Sequence, residues 1–244
     1  MLLRLDGDAL TLLTAGMEQS QTDLSAPERL EFEYMQHLDL LLDALREKKE
    51  PLRIFHAGAG ACSLPLAWAA TRNPARQVAV DTDLKLIELL KEWRVIRPGD
   101  PVRLRHGDAR VLLESSKRTY DVIVRDAFAG DATPAQLASL SWAQLVKSRL
   151  NPGGVYLSNV AHGGTQNGKA DVAAAFETFK KALVVTDRKV WKGARLGNLA
   201  VAAWDLGTAK TQELETELRR LPLPVALYRV DEIRGWLGGA KPRP

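Results

Sequence analysis

The stretch LRIFHAGAG, at residues 52–60, decides the fold of this chain. A short apolar run ends there in a turn of small residues, and a second apolar run, QVAVD, ends in Asp81 roughly twenty residues later. Glycine lets the backbone turn tightly and approach a ligand closely, and an acid at the tip of the next strand can accept hydrogen bonds from both ribose hydroxyls. The pattern predicts a strand–turn–helix–strand unit in which Gly58, Gly60 and Asp81 bind a nucleoside.

Apolar strands alternate with amphipathic helices along the rest of the domain, which we assign to residues 51–244. The predicted strands lie at residues 52–57, 77–81, 101–108, 120–128 and 153–160, and the predicted helices at residues 64–71, 84–94, 109–114, 134–149 and 169–183. Such alternation predicts an α/β fold with a parallel sheet covered on both faces. Residues 184–205 suggest two more strands joined by a turn at residues 192–198, followed by a helix at residues 209–219 and a short Pro- and Gly-rich tail.

Residues 1–50 are predicted to form an N-terminal β-hairpin and a helix. Leucines alternate at the start of the chain on either side of the turn sequence DGD, as in a hairpin. Ser25 is a candidate N-cap, and Pro27 suits the first helical turn. One face of the predicted helix then carries Leu30, Tyr34, Leu38, Leu41 and Leu42.

Composition narrows the possible functions. The net charge of +4 comes from 34 basic and 30 acidic residues that are well mixed, which argues against a nucleic-acid partner. No apolar run approaches the roughly 18 residues that span a bilayer, and the N-terminus lacks the order of a signal peptide, so we expect a cytoplasmic protein without a membrane partner. One cysteine and four scattered histidines predict neither an internal disulfide nor a bound metal.

Carboxylates follow three of the four strands that are expected to border the ligand site. They are Asp81 with Asp83, Asp108 and Asp126, and the glycine turn has no P-loop lysine. This distribution favours a cationic sulfonium nucleoside over a polyphosphate. Asp108 could accept a hydrogen bond from an adenine amino group. The alternative interpretation is that these acids cap helices, as Asp83 could for a helix beginning at Leu84. Cys62 is interpreted as a small loop residue, because no His–Asp pattern accompanies it.

Several motifs occur in the order seen in spermidine synthases. They are DGDALTLL at residues 6–13, LEFEYMQHL at 30–38, HAGAGACSLP at 56–65, VAVDTD at 78–83, HGDARVLL at 106–113 and YDVIVRDAFAGDATPAQL at 120–137. The chain resembles the bacterial spermidine synthase-like proteins over residues 2–205. The resemblance implies the Rossmann-like class I S-adenosylmethionine-dependent methyltransferase fold, in which an antiparallel strand pair follows five βα units.

The resemblance also implies a reaction and a set of residues. The family transfers an aminopropyl group from decarboxylated S-adenosylmethionine to putrescine, without a tightly bound cofactor, and its members commonly form homodimers. By position, the implied roles are Asp126 as the base that deprotonates the amine, Asp81 at the ribose, Asp108 and Ala109 at the adenine, Gln19 at the nucleoside and Tyr34 in the amine channel.

The chain departs from the family where acids are expected around the donor and the acceptor. Ala61 replaces the acid that would hold the donor's amino group, Met35 and Gln36 replace a His–Glu pair, and Ala129 replaces a second acid after the fourth strand. Asp131, two residues further on, is a candidate substitute. Since an unpaired buried ammonium is costly, these losses weaken the expectation of putrescine as acceptor but not that of the nucleoside.

Three hypotheses follow. The leading one is an aminopropyltransferase that uses decarboxylated S-adenosylmethionine and a small-molecule amine of undefined identity. The second is a methyltransferase that uses S-adenosylmethionine itself, because Ala61 would leave the donor's tail to be bound differently. The third is a non-catalytic nucleoside-binding protein of the same fold, which the missing acids favour and the retained Asp108 and Asp126 oppose.

Overall fold

The N-terminal segment forms a small antiparallel sheet. The computed structural model describes residues 2–14, 16–72, 75–130 and 132–244. Strands β1 (Leu2–Asp6), β2 (Ala9–Thr14) and β3 (Met17–Asp23) pair in the order β1-β2-β3. The predicted hairpin at the DGD turn is therefore confirmed, and β3 extends it to three strands. The predicted boundary between residues 50 and 51 stays a prediction.

Helix α1 (Glu33–Leu45) begins later than the sequence suggested. Ser25 is not its N-cap, because the Asp23 carboxylate accepts hydrogen bonds from the Ser25 amide at 2.9 Å and the Ser25 hydroxyl at 2.7 Å. This turn, and a β-bridge between Thr22 and Leu30, keep the intervening chain out of a helix. The predicted apolar residues are nevertheless buried, with Leu38 and Leu42 fully enclosed.

The main domain alternates strands and helices through most of its length. Its elements are β4 (Leu52–Ala57), α2 (Ser63–Thr71), β5 (Ala75–Asp81), α3 (Leu84–Glu92), β6 (Val102–His106), α4 (Ala109–Glu114), β7 (Tyr120–Arg125), α5 (Leu140–Arg149), β8 (Leu150–His162), α6 (Lys169–Thr178), β9 (Lys181–Thr186), α7 (Arg188–Trp191), β10 (Gly197–Trp204), α8 (Thr211–Leu218), β11 (Ala226–Tyr228) and α9 (Val230–Leu237).

The strands form one sheet in the order β11-β9-β10-β8-β7-β4-β5-β6. Strands β6, β5, β4, β7 and β8 run parallel, and β10 lies antiparallel between β8 and β9. A parallel set followed by an inserted antiparallel strand is the arrangement of the class I methyltransferase fold, so the predicted fold class is confirmed. The predicted strand pair around residues 192–198 is also present, as β9 and β10.

Two further helix boundaries differ from the prediction, and the predicted tail contains two elements that were not expected. The helix predicted from residue 134 begins at Leu140, because Ser139 accepts a hydrogen bond from the Trp142 amide and caps α5 there. The helix predicted through residue 183 ends at Thr178, and β9 begins at Lys181 and ends in the β-branched residues Val184, Val185 and Thr186. The predicted tail contains β11 and α9.

Helices cover both faces of the sheet, as the alternation predicted. On one face α1, α2 and α8 bury Leu38, Trp68 and Leu214 against the strands. On the other face Trp142 of α5 and Ala175 of α6 pack against Tyr156 of β8. Within the described part of the chain, no helix has both the length and the apolar character that crossing a membrane requires.

Candidate functional site

A cavity of about 370 Å³ lies at the carboxyl ends of β4, β5, β6 and β7, where open α/β sheets bind their ligands. We call it the main cavity. The N-terminal sheet closes it from one side through Leu12, Gln19 and Ser20, and α1 contributes Tyr34 and Met35. Of the residues predicted at the ligand, the main cavity brings together Gln19, Tyr34, Gly58, Gly60, Asp81, Asp108, Ala109 and Asp126. Asp131 lies outside the described residues.

The glycine turn after β4 combines positive φ angles with close contacts that leave no room for side chains. Gly58 has φ +104°, and a Cβ built on it would lie 2.1 Å from the carbonyl oxygen of Asp126. Gly60 has φ +50°, and a Cβ there would lie 3.2 Å from the Ser20 hydroxyl oxygen. The turn thus packs directly against the end of β7 and the N-terminal sheet, and any side chain at Gly58 would displace Asp126.

Asp81 connects the glycine turn to the next loop. Its Oδ2 accepts a hydrogen bond from the Ala59 amide at 3.1 Å, and its Oδ1 accepts one from the Asp83 amide at 3.0 Å. Both contacts fix the carboxylate in the wall of the main cavity. Asp83 also lines the cavity, and the interpretation of Asp83 as a helix cap is confirmed, since it accepts a hydrogen bond from the Leu86 amide at 2.9 Å.

Asp108 caps a helix and also lines the main cavity. Its Oδ1 accepts hydrogen bonds from the Arg110 and Val111 amides at 2.7 and 3.1 Å and so caps α4. The same residue and Ala109 line the main cavity. Capping occupies one carboxylate oxygen, and a contact between Asp108 and adenine stays a prediction.

Asp126 directly follows β7 and is held by two hydrogen bonds. The Tyr34 hydroxyl donates to Oδ2 at 3.0 Å, and Asn159 Nδ2 donates to Oδ1 at 2.9 Å. Burial raises the pKa of Asp126 above its ordinary value, although both hydrogen bonds and the nearby Arg125 act to lower it. Burial, together with the Asp126 charge, raises the pKa of Tyr34 well above its usual range, so Tyr34 remains a donor.

Two residues beside Asp126 were missed by sequence reasoning. Asn159 is 1% exposed, and its Oδ1 has no hydrogen-bond partner within the described ranges. Arg125 is fully buried, forms an ion pair with Asp171 at 2.9 Å and donates to the Thr133 hydroxyl at 2.7 Å. A polar residue in an otherwise apolar buried strand was the available signal, since burying it without a function or a partner is costly.

The departures from the family pattern have structural explanations. Ala61 is fully buried in an apolar cluster with Leu10 and Leu86, and Ser20 and Thr22 hydrogen-bond its backbone. Gln36 donates to the Leu30 carbonyl oxygen at 2.6 Å and supports the turn before α1. Ala61 thus serves the packing of the core, and Gln36 serves the local structure before α1.

The main cavity is acidic. Its wall carries the carboxylates of Asp81, Asp83, Asp108 and Asp126, and none of its described lining residues is a lysine or arginine. Such a wall attracts a cation and offers no cationic side chain to a phosphate. Among the residues described, no group of three or more His, Cys, Asp or Glu side chains is placed to hold a metal ion.

Comparisons with known proteins show similarity in sequence and in fold. No protein-family model matches the chain. A polyamine aminopropyltransferase from Vibrio vulnificus is 27% identical over 129 residues, which are 52% of this chain and 43% of that protein. The aligned region thus covers less than half of that relative's length.

Solved structures extend the likeness to almost the whole chain. A probable spermidine synthase from Corynebacterium glutamicum is 29% identical with a TM-score of 0.88, over 99% of this chain and 91% of that one. A spermidine synthase in complex with the transition state analogue AdoDATO is 12% identical with a TM-score of 0.60, over 97% of this chain and 83% of that one, and it shares the fold.

Proposed function

We propose that this chain, a spermidine synthase-like protein by its sequence and its fold, transfers an aminopropyl group from decarboxylated S-adenosylmethionine to an amine. The observation that carries the proposal is the Asp126 carboxylate, which Tyr34 and Asn159 hold at the wall of an acidic cavity behind the glycine turn. The relatives named as polyamine aminopropyltransferases and spermidine synthases support the same assignment.

The donor would occupy the main cavity along the strand ends. Gly58 and Gly60 allow the nucleoside to approach the turn, and Asp81 would accept hydrogen bonds from the ribose hydroxyls. Asp108 would accept from the adenine amino group beside the Ala109 backbone, with Gln19 closing the site. The acidic wall would stabilise the sulfonium and the donor's ammonium group.

The chemical step is a displacement at carbon. Asp126 takes a proton from the acceptor's ammonium group, and the freed nitrogen lone pair attacks the methylene carbon bonded to the sulfonium sulfur. The new C–N bond forms as the C–S bond breaks, and the bond's electron pair leaves on sulfur. The products are methylthioadenosine, a neutral thioether, and an amine lengthened by the aminopropyl group. Because sulfur leaves without charge, no general acid is required.

The surroundings of Asp126 suit the role of base. Burial raises its pKa, which makes the carboxylate a stronger proton acceptor than an exposed aspartate. The hydrogen bonds from Tyr34 and Asn159 fix the direction in which the carboxylate faces the acceptor. A positioned base typically contributes a factor of about 10² to 10⁴ to the rate.

Product formation tests the proposal directly. The purified protein is incubated with decarboxylated S-adenosylmethionine and a panel of mono-, di- and triamines, and methylthioadenosine is measured. We expect release with at least one amine, and a loss of about 10²-fold or more in the Asp126→Asn variant. The control is Glu88→Gln, which neutralises an exposed acid that lines no described cavity. Absence of methylthioadenosine with every amine would refute the aminopropyltransferase.

A methyltransferase that uses S-adenosylmethionine is the second candidate, because Ala61 leaves the donor's amino group without its expected acid. That donor carries a carboxylate, for which no described lysine or arginine lines the main cavity. Calorimetric titration with both nucleosides discriminates between the candidates, since only a methyltransferase should prefer the donor with the carboxylate. If neither nucleoside binds more weakly to Asp126→Asn and no transfer occurs, the non-catalytic alternative is favoured.

A homodimer, a cytoplasmic location and the absence of a nucleic-acid partner stay predictions.

A further inference from the structure

A second cavity of about 200 Å³ adjoins the main cavity at Tyr34, which lines both. The start of α1 forms one wall, and the end of β9 with the start of β10 forms the opposite wall. The polar side chains that line this second cavity include Glu33, His37, Asp187, Arg195 and Asn198. The proposed transfer reaction leaves this cavity unused.

His37 gives the second cavity an unpaired polar group. The side chain is 4% exposed, and its Nδ1 has no hydrogen-bond partner among the described residues. Burial lowers the pKa of His37 to about 4, so the imidazole is neutral at physiological pH. Leaving a buried ring nitrogen unpaired is costly, and the His37 ring lines the second cavity, where a ligand's N–H group could contact the imidazole.

The charges in the second cavity favour a cation. Asp187 caps α7 with Oδ1, accepting from the Lys189 and Val190 amides at 2.6 and 3.2 Å. Glu33 adds a second, exposed carboxylate. Arg195 is the opposing charge, but it is 53% exposed and its guanidinium lies 3.7 Å from Asp187, so this pair is weak.

The sheet sets the distance between Asp126 and Asp187. Because Arg125 pairs with Ser158 on the neighbouring parallel strand, the next residues, Asp126 and Asn159, lie level with each other. Asn159 pairs with Ala200 on β10, and Ala200 pairs with Val185 on β9. Three strand spacings of about 4.8 Å separate the outer members of this row, and Asp187 lies two residues further along. A chain that reaches from one carboxylate to the other is longer than a four-carbon diamine.

We propose that the second cavity binds the far end of the acceptor, and that the acceptor is a linear polyamine longer than a four-carbon diamine. Its terminal ammonium pairs with Asp187 and Glu33, and an inner nitrogen contacts the His37 imidazole. These groups supply the anchor that the missing acids at Gln36 and Ala129 do not. The inference rests on the proposed transferase and deepens it by naming the class of acceptor.

Steady-state kinetics with two acceptors test this assignment. Putrescine serves as the short probe and spermidine as the long one. We expect kcat/KM for spermidine to exceed that for putrescine by about tenfold or more, since one additional charge-assisted contact forms. Asp187→Asn keeps the helix cap but removes the charge, and Glu33→Gln removes the exposed charge. Each should raise KM for spermidine, Asp187→Asn by about tenfold, with kcat and the donor KM unchanged.

Two further variants sharpen the test. Arg195→Gln should lower KM for spermidine, because it frees Asp187, whereas Glu88→Gln should change nothing. Preference for putrescine, or Asp187→Asn kinetics identical to those of Glu88→Gln, would overturn the acceptor assignment while leaving the transferase intact. If no amine yields methylthioadenosine, the transferase itself is refuted. Calorimetric titration with spermidine then tests the second cavity alone. Binding that is weaker in Asp187→Asn supports the polyamine site, and binding that is absent or unaltered in that variant overturns it.

Discussion

The carboxyl group of Asp126 and the amide of Asn159 form the smallest unit on which the proposed chemistry depends. Asn159 donates to Asp126 and so lowers a pKa that burial raises. Asn159→Ala should therefore raise the pKa of Asp126 further and move the acidic limb of the pH–rate profile to higher pH. Loss of the orienting hydrogen bond should also reduce kcat by about tenfold.

A pH profile of kcat/KM for both proteins measures this shift. The matched control is Asn151→Ala. It removes an asparagine near the start of β8 that donates to Asp121, near the start of β7, at 2.6 Å, and neither residue lines a described cavity. If the acidic limb stays in place in Asn159→Ala, Asn159 does not tune the base.

Asp126 also makes stability depend on pH. Its folded-state pKa lies above the ordinary 3.8, so the folded protein favours the protonated form. Stability from this group is present below the unfolded-state pKa and is lost as pH rises through the folded-state pKa. The unfolding temperature of Asp126→Asn, relative to that of the wild type, should therefore rise with pH above about 4.

Thermal unfolding of the two proteins from acidic to neutral pH checks the sign. A difference that falls with increasing pH would mean that hydrogen bonds from Tyr34 and Asn159 outweigh burial, and would contradict the raised pKa. Activity of Asp126→Asn should stay about 10²-fold or more below that of the wild type at every pH, which separates the catalytic effect from the effect on stability.

At the scale of elements, the turn between β4 and α2 packs against the residue that follows β7. Gly58→Ala should destabilise the protein and abolish donor binding, because its Cβ would meet the Asp126 backbone. Gly207→Ala is the matched control, since Gly207 also has a positive φ of +86° but nothing lies within 4 Å of its Cβ. The control should cost about 1–2 kcal/mol from backbone conformation alone.

Chemical denaturation and nucleoside titration of the two variants separate strain from collision. Gly58→Ala should lose clearly more stability than Gly207→Ala, and only Gly58→Ala should lose affinity for the nucleoside. Equal losses would show that positive φ, and not the contact with Asp126, is what requires glycine there.

The sequence predicted elements well where a local pattern and the tertiary structure agree. The strands leading to Gly58 and Asp81 combine an apolar run with a turn signal, and both were found. Alanine, leucine and lysine after Thr178 favour a helix locally, whereas pairing between β10 and β11 selects a strand. Ser25 suits an N-cap locally, but Asp23 forms the competing turn.

At the scale of the whole molecule, a buried hydroxyl cluster joins the N-terminal sheet to the main domain. Ser63 Oγ lies 2.9 Å from Ser20 Oγ and 2.7 Å from Thr22 Oγ1, and it donates to the Gln21 carbonyl oxygen at 2.8 Å. Ser63→Ala should cost about 1–3 kcal/mol in unfolding free energy, because it leaves buried partners unsatisfied. The donor affinity should fall as well, since this sheet closes the main cavity.

Denaturation and nucleoside titration measure both effects. Ser148→Ala, which removes an exposed hydroxyl bonded only locally to the Leu145 carbonyl, is the control and should leave both unchanged. Reduced stability with undiminished donor affinity would show that the N-terminal sheet does not shape the nucleoside site.

The candidate site could be predicted only in part. Sheet topology places the ends of parallel strands together, so acids such as Asp81, Asp108 and Asp126 could be grouped from sequence. The second cavity could not be found, because α1 approaches β9 and β10 only in the folded chain, which brings His37 beside Asp187. Asn159 was missed because its significance depends on its hydrogen bond to Asp126 across two strands.

The buried thiol of Cys62 makes the opening of the glycine turn after β4 chemically observable. Cys62 follows that turn with φ 62°, is fully buried, and has its pKa raised to about 12 by burial and by the Asp81 charge. Since only a solvated thiolate reacts with alkylating reagents, labelling requires the turn to open. The chain has a single cysteine, so the rate of one modification reports this opening, and a bound nucleoside should slow it.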